Sequence, residues 1–396
     1  MRVRHAASAL LVAATLSTAA SAETRIFEGD GEKGPKSIDL FGWIQPRFTY
    51  QQRDDRPGVA FQPNPAFTVT RARFGFKADV TDYARAVMEI EIAGQQPTPL
   101  LDAYLILHPI PEAQLWVGQM RVPFSRQNLI QSTGYQFADV SYFVAPKYLV
   151  DRDMGAMAHG SIADDRLRYF VGIFNGNEPG RGLTQNQDKY FLTAARLEVS
   201  PLGKVIRTES DLRSVEDRKQ LRFTIGGGAM QNRATDKNLK KQWIGADLAA
   251  YFRGASLYAE LYHRTDTPID TAKAGVKVTA EGLNVQLGYF APVGWVERHL
   301  EVVARFQTFD PFKQTKNPPN ADPSERDLDS TGNPSWGYRG FGFGVNVFPE
   351  GRNNVVFQAN YEVRNETKPC LTGQSGPTCT GTIKNNLFVA QATLAF

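Results

Sequence analysis

Cysteine is nearly absent from this 396-residue chain: the two present, Cys370 and Cys379, share one polar segment rich in Gly, Thr and Pro. A framework of several disulfides is therefore excluded. A close pair in an oxidising compartment reads as one local disulfide, and metal binding is the alternative. With no His and no third Cys near them, the pair lacks a ligand set, and no cofactor motif accompanies it.

Long hydrophobic runs are also missing beyond the first residues, and mean hydropathy is negative. Those first residues form a distinct unit. Arg2 and Arg4 precede an apolar stretch from Ala6 to Leu16, and Ala20-Ser21-Ala22 offers a small-residue cleavage pattern. That arrangement predicts a signal peptide over residues 1–22 and an exported chain. A membrane anchor would need about 20 apolar residues, and Ser8, Thr15, Ser17 and Thr18 interrupt this stretch.

Charge of one sign is lacking as well. Without Arg2 and Arg4 the 45 Lys+Arg become 43, against 41 Asp+Glu. So even a balance argues against a nucleic-acid partner, for which a strongly basic domain is expected.

What the chain has instead is alternation. After a short polar segment, 23–37, Ile38, Leu40, Gly42, Ile44, Pro46, Phe48 and Tyr50 fall on one face. Asp39, Trp43, Gln45, Arg47, Thr49, Gln51 and Arg53 fall on the other. A period of two with one apolar and one charged face marks an amphipathic strand. Its length suits the roughly 9–11 residues that cross a bilayer when tilted.

The pattern returns at 72–80, 84–92, 101–108, 114–122, 154–162, 167–174, 191–199, 221–230, 244–253, 256–264, 283–290, 300–309, 339–348, 354–364 and 387–396. About sixteen such segments, joined by alternately short and long links, predict an all-β transmembrane antiparallel barrel over 38–396. A soluble β-sandwich also alternates, but it would not place charges of both signs opposite its apolar face so consistently. The polar stretch 201–219 breaks the rhythm, being long where the register predicts a periplasmic turn. The last strand alternates Phe388, Ala390, Ala392, Leu394 and Phe396 to a terminal aromatic, which suits an assembly signal at the membrane boundary.

In this register the lumen receives Arg47, Arg71, Arg73, Arg121 and Arg305, among other arginines, with Glu89, Glu91 and Asp102 opposing them. Guanidinium is permanently charged, weakly hydrated and shaped to grip oxyanions. Charged rings at a narrowing set ion selectivity. Each such arginine could equally pair with a lumen carboxylate and only stiffen the wall. Segment 123–153 is long and aromatic, with Phe124, Phe137, Tyr142, Phe143, Tyr148 and Leu149. Folded inward it would bury those rings against the wall and bring Arg121, Arg126, Lys147 and Arg152 to the narrowest point.

Several short motifs occur together in order: Thr70-Arg71-Ala72-Arg73-Phe74-Gly75-Phe76, Asp102-Ala103-Tyr104-Leu105, and Val117-Gly118-Gln119-Met120-Arg121-Val122-Pro123-Phe124-Ser125. Phe174-Asn175-Gly176 and the terminal Phe396 complete the set. In these the chain resembles the porin O/P family of outer-membrane channels. The resemblance implies sixteen strands, an inward-folded third surface loop, an arginine-lined path for small anionic solutes, and a homotrimer in outer-membrane lipid placed there by the barrel assembly machinery. Carried over residue by residue, the family's phosphate site keeps Arg71 and Ser132, whereas Thr70 and Asn128 stand where the phosphate-selective members carry basic residues.

Three other classes compete with a channel. His159 and Ser161 share one face of a strand, with Asn175 at the end of the next, so a hydrolytic triad could form. That face points to the lumen, whereas a lipase site must meet lipid. An adhesin barrel rests on the long loops alone, and a plugged transporter has too few residues before its first strand.

Overall fold

The computed structural model describes residues 23–396 except 30, 32–33, 53–63, 95–98, 146–147, 177–185, 187–188, 235–237, 271–276, 312–326, 329–333, 336, 369–380 and 385. The signal segment, Lys147, Cys370 and Cys379 therefore lie outside the described residues.

Alternation decides the fold because each strand exposes its apolar side. In the strand Leu192–Val199, Leu197 is 49% exposed while Arg196 and Glu198 on the opposite face are 3% and 2% exposed. A sandwich would invert that pattern. Phe343, Val302, Leu261, Ile244 and Val171 are likewise exposed on the outside, the arrangement a lipid solvent requires.

The strands are β1 (Glu23–Glu28), β2 (Ser37–Gln51), β3 (Asn64–Thr81), β4 (Ala84–Glu91), β5 (Leu100–Ile110) and β6 (Ala113–Arg121). After the third surface loop come β7 (Arg152–Ile162), β8 (Leu167–Phe174), β9 (Leu192–Val199), β10 (Arg222–Ala234), β11 (Leu239–Phe252) and β12 (Ala255–Pro268). β13 (Val278–Phe290), β14 (Leu300–Asp310), β15 (Tyr338–Val347), β16 (Val355–Lys368) and β17 (Leu387–Ala395) follow. From β2 to β17 each strand pairs antiparallel with the next. Pairing of Trp43 with Ala395 through Gln51 with Leu387 closes the ring. The barrel thus has sixteen strands, and closure leaves its wall without a free edge.

β1 is extra. It lies within the stretch read from sequence as a polar segment, and it pairs with β2 from Glu23 opposite Phe41 to Glu28 opposite Ser37. β17 stops just where β1 begins. Between them Phe396 exchanges two backbone hydrogen bonds with Gly42, at 2.9 and 3.0 Å, and its ring lies where a Gly42 side chain would stand.

Candidate functional site

The third surface loop, 122–151, turns into the barrel. Its first helical turn, Arg126–Leu129, is capped by Ser125, whose hydroxyl accepts from the Asn128 N–H at 3.3 Å. Tight turns at Ser132–Gly134 and Tyr142–Val144 then fold its aromatic residues onto the wall. Tyr142 stacks on Tyr338 at 4.4 Å, Tyr148 meets Phe309 at 4.5 Å, and Phe143 meets Tyr262 at 5.3 Å. Trp243, Phe124 and Leu149 belong to the same buried cluster. In that way rings that would be exposed in an outward loop are removed from water.

Wall glycines make room for the loop. A Cβ on Gly282 would lie 2.5 Å from the Phe143 ring, one on Gly245 3.0 Å from Phe124, and one on Gly342 2.9 Å from Phe137. Gly228 similarly faces the Phe124 carbonyl. Close approach, rather than unusual backbone angles, explains glycine at these places.

The arginines divide into two groups. Arg47 donates to Asp139 of the loop at 2.8 Å, to Gln391 at 2.9 and 2.7 Å, and to the Ala138 carbonyl at 2.9 Å. Arg73 is held by Glu91 at 2.8 Å and Glu89 at 3.1 Å. Arg305 donates to Glu362 at 2.6 Å and to the Asp139 carbonyl at 2.8 Å, with its guanidinium over the Phe137 ring. Arg126 is fully buried, bonded to the Ile206 carbonyl and the Tyr251 hydroxyl. These four are structural ties, and the three ion-paired ones are neutralised in place.

Arg71 and Arg121 differ. Arg71 donates to the neutral Gln45 side chain at 2.9 Å. Arg121 donates to the carbonyls of Asn128 and, at 2.8 Å, Ile130. Among the described residues neither has a carboxylate within ion-pair distance, so each keeps its positive field. Both are only partly buried.

The carboxylates expected to oppose the arginines are taken up by two bases. Glu89 and Glu91 bind Arg73, and Asp102 binds Arg152 at 2.8 Å. Arg152 also binds the loop's Asp151 at 2.6 Å. Burial pushes the Asp151 carboxyl up, but Arg152 and Arg121 hold it below the ordinary range. Asp139 behaves alike beside Arg47.

Ser132 is buried in the loop, and its hydroxyl has no hydrogen-bond partner among the described residues. Asn128 uses its side chain to hold the carbonyls of Val122 and Asp151, so it ties the loop's two ends rather than facing the channel. Sequence reading missed Asp139 and Gln45 as partners. It also missed that 201–219 enters the lumen, and the only signal was that stretch's unusual length.

His159 and Ser161 are not brought together as a nucleophile and base. The His159 ring stacks on Phe170 at 4.2 Å, with Nδ1 2.9 Å from the Tyr169 carbonyl. The Ser161 hydroxyl donates instead to Asp165 at 2.7 Å. A polar pair on one face of β7 accounts for both.

A closed barrel with an apolar outer face, a charged interior and a loop folded across that interior defines an outer-membrane porin channel. The chain belongs to the family described as phosphate-selective porin O and P, which it matches over residues 47–361. Among curated proteins none matches. Its fold is similar to that of the outer membrane channel DcaP of Acinetobacter baumannii, at 12% identity and TM-score 0.55, over 93% of this chain and 99% of that one. The anion-selective porin from Comamonas acidovorans is similar at 12% identity and TM-score 0.52, over 91% and 99%. The trimer form of OmpT, an outer membrane protein of Vibrio cholerae, gives 12% identity and TM-score 0.54, again over 91% and 99%. Identities this low speak for the fold alone.

Proposed function

We propose that this outer-membrane porin mediates passive diffusion of small anionic solutes with a modest anion preference, and does no chemistry on them. The observation that carries the reading is the pair Arg71 and Arg121, which have neutral hydrogen-bond partners while Arg47, Arg73 and Arg305 are neutralised by carboxylates. Fixed charge beside a narrowing in a low-dielectric wall raises the local concentration of counter-ions. Phosphate-type oxyanions fit the same chemistry. Two unpaired guanidiniums make a weak site for them, so chloride current is expected to be blocked by phosphate only slightly.

A homotrimer is part of the proposal. The family resemblance and the trimer described for the Vibrio cholerae relative support it.

The test is planar-bilayer recording of the refolded protein under a salt gradient. A reversal potential on the anion side is expected, reduced or reversed in the double variant Arg71→Gln/Arg121→Gln, with conductance little changed. Strong cation selectivity in the unmodified channel, or an unaltered reversal potential in the double variant, would sink this reading.

A further inference from the structure

Between β11 and β16 the outer face of the barrel is hollowed by a depression of about 1140 Å³. Two cross-strand rungs form it. One runs Ala246, Leu261, Leu283, Thr308, Arg339 and Asn365 from strand to strand, turning from apolar to polar between β13 and β14. The next, nearer the external strand ends, runs Ile244, His263, Glu281 and Asp310. Ile244 and Leu261 are 61% and 56% exposed, so these rungs face lipid. Their neighbours Tyr262, Phe309 and Tyr338 turn inward and carry the third loop.

Ionisable groups are out of place on a lipid-facing wall. Near the external ends of β3, β4, β8 and β9 the outward residues include Phe67, Ile92, Ile173 and Phe191, all exposed. The hollow instead joins an apolar side to a rim bearing His263, Glu281, Asp310 and Arg339. Hydrocarbon solvates only the apolar side, and the strand ends lie where the bilayer gives way to head groups. An amphiphile matches both.

The rim also has the chemistry for a phosphorylated head group. Arg339 is exposed and has no carboxylate within ion-pair distance among the described residues, and Thr308 and Asn365 flank it on the same rung. A guanidinium between two neutral hydrogen-bonding side chains suits phosphate oxygens. His263 Nδ1 lies 3.6 Å from the Glu281 carboxylate, and Glu281 stands opposite Asp310. Two neighbouring carboxylates repel a bare phosphate but attract the divalent ions that bridge lipid phosphates.

We propose that the hollow seats one phosphorylated glycolipid of the outer leaflet, its chains against Leu261 and Leu283 and its head group on Arg339. Seated there, it backs the stretch of wall whose inner side holds the third loop. A second copy of this chain is a poorer occupant, because it would take four ionisable groups out of water at a cost in desolvation. The head-group layer leaves them hydrated.

Native mass spectrometry of the full refolded protein, titrated in detergent with bisphosphorylated lipid A and magnesium, tests this. One retained lipid A per barrel is expected, with phosphatidylglycerol, an anionic lipid lacking the phosphorylated sugar, bound more weakly. Arg339→Gln is expected to lower the affinity for lipid A about tenfold, the worth of one charge-assisted hydrogen bond. Ala246→Trp tests the apolar side independently. It fills the hollow with a side chain that lipid tolerates, and is expected to displace lipid A while the barrel still assembles. Unchanged affinity in either variant, or equal retention of the two lipids, shows annular lipid only and overturns the seat. Crosslinking of protomers through Leu261→Cys would put a second copy there and overturn it as well. Neither Arg339 nor Ala246 faces the lumen, so reversal potentials judge the anion preference separately.

Discussion

The Arg47 guanidinium on the barrel wall closes on the Asp139 carboxylate of the inward loop at 2.8 Å, joining residues 92 positions apart. One contact thereby serves two ends: it fastens the loop, and it hides a positive charge from the channel. Replacing Asp139 by Asn is expected to unmask Arg47 and move the reversal potential further to the anion side. Because Asp139 is partly exposed, the loss in stability should be small, on the order of 1 kcal/mol. Arg47 holds this carboxyl below its ordinary range against the effect of burial. The pair is therefore kept above the ordinary carboxylate range and lost only as pH falls through the lowered value, so strong acid should mimic Asp139→Asn. A reversal potential identical to the unmodified protein's would show that Arg47 lies off the ion path.

Gly282 is expected to tolerate a side chain poorly, because it faces the third loop at close range. A Cβ there meets the Phe143 ring at 2.5 Å, and that ring is packed among Tyr262 and Phe309. Gly282→Val should push the loop off the wall, raising single-channel conductance and weakening ion discrimination. Phe143→Ala approaches the same state from the other side, at a cost of about 3–5 kcal/mol in packing. Gel shift on heating gives the stability, and bilayer conductance gives the pore size.

Deletion of Phe396 should lower the amount of barrel reaching the outer membrane. Its backbone bonds with Gly42 bridge the gap between the end of β17 and the start of β1, so their loss opens the seam where the ring closes. Normal surface abundance of the shortened chain, measured in outer-membrane fractions, would remove the residue from both assembly and closure.

Cys370 and Cys379 are expected to be joined in the exported protein. The loop they close is short, so the gain in stability should be about 2–3 kcal/mol or less. Intact mass under non-reducing alkylation checks this; two alkylated thiols would refute the pairing.

Much of the wall was legible in the chain itself. Alternation in β2 and β9 needs no knowledge of neighbours, because a strand turns successive side chains to opposite faces and the bilayer accepts only the apolar set. Counting such segments gave the strand number, and the aromatics between Phe124 and Leu149 already marked a loop unsuited to water. β1 escaped notice because Glu23–Glu28 is short and its face pattern is weak.

Which arginines stay free was decided only by the tertiary structure. Arg47 finds Gln391 344 positions away, Arg305 finds Glu362 57 away, and Arg152 finds Asp102 50 away. No local pattern distinguishes these from Arg71, whose partner Gln45 is neutral. The inward course of 200–221 was hidden for the same reason, since a polar connection reads alike in water or in a polar lumen. Sequence by itself determined which residues face lipid and which face the channel, because that choice depends on each side chain's own polarity. Partners across the lumen determine where charge remains and where the channel narrows, and barrel closure alone sets those distances.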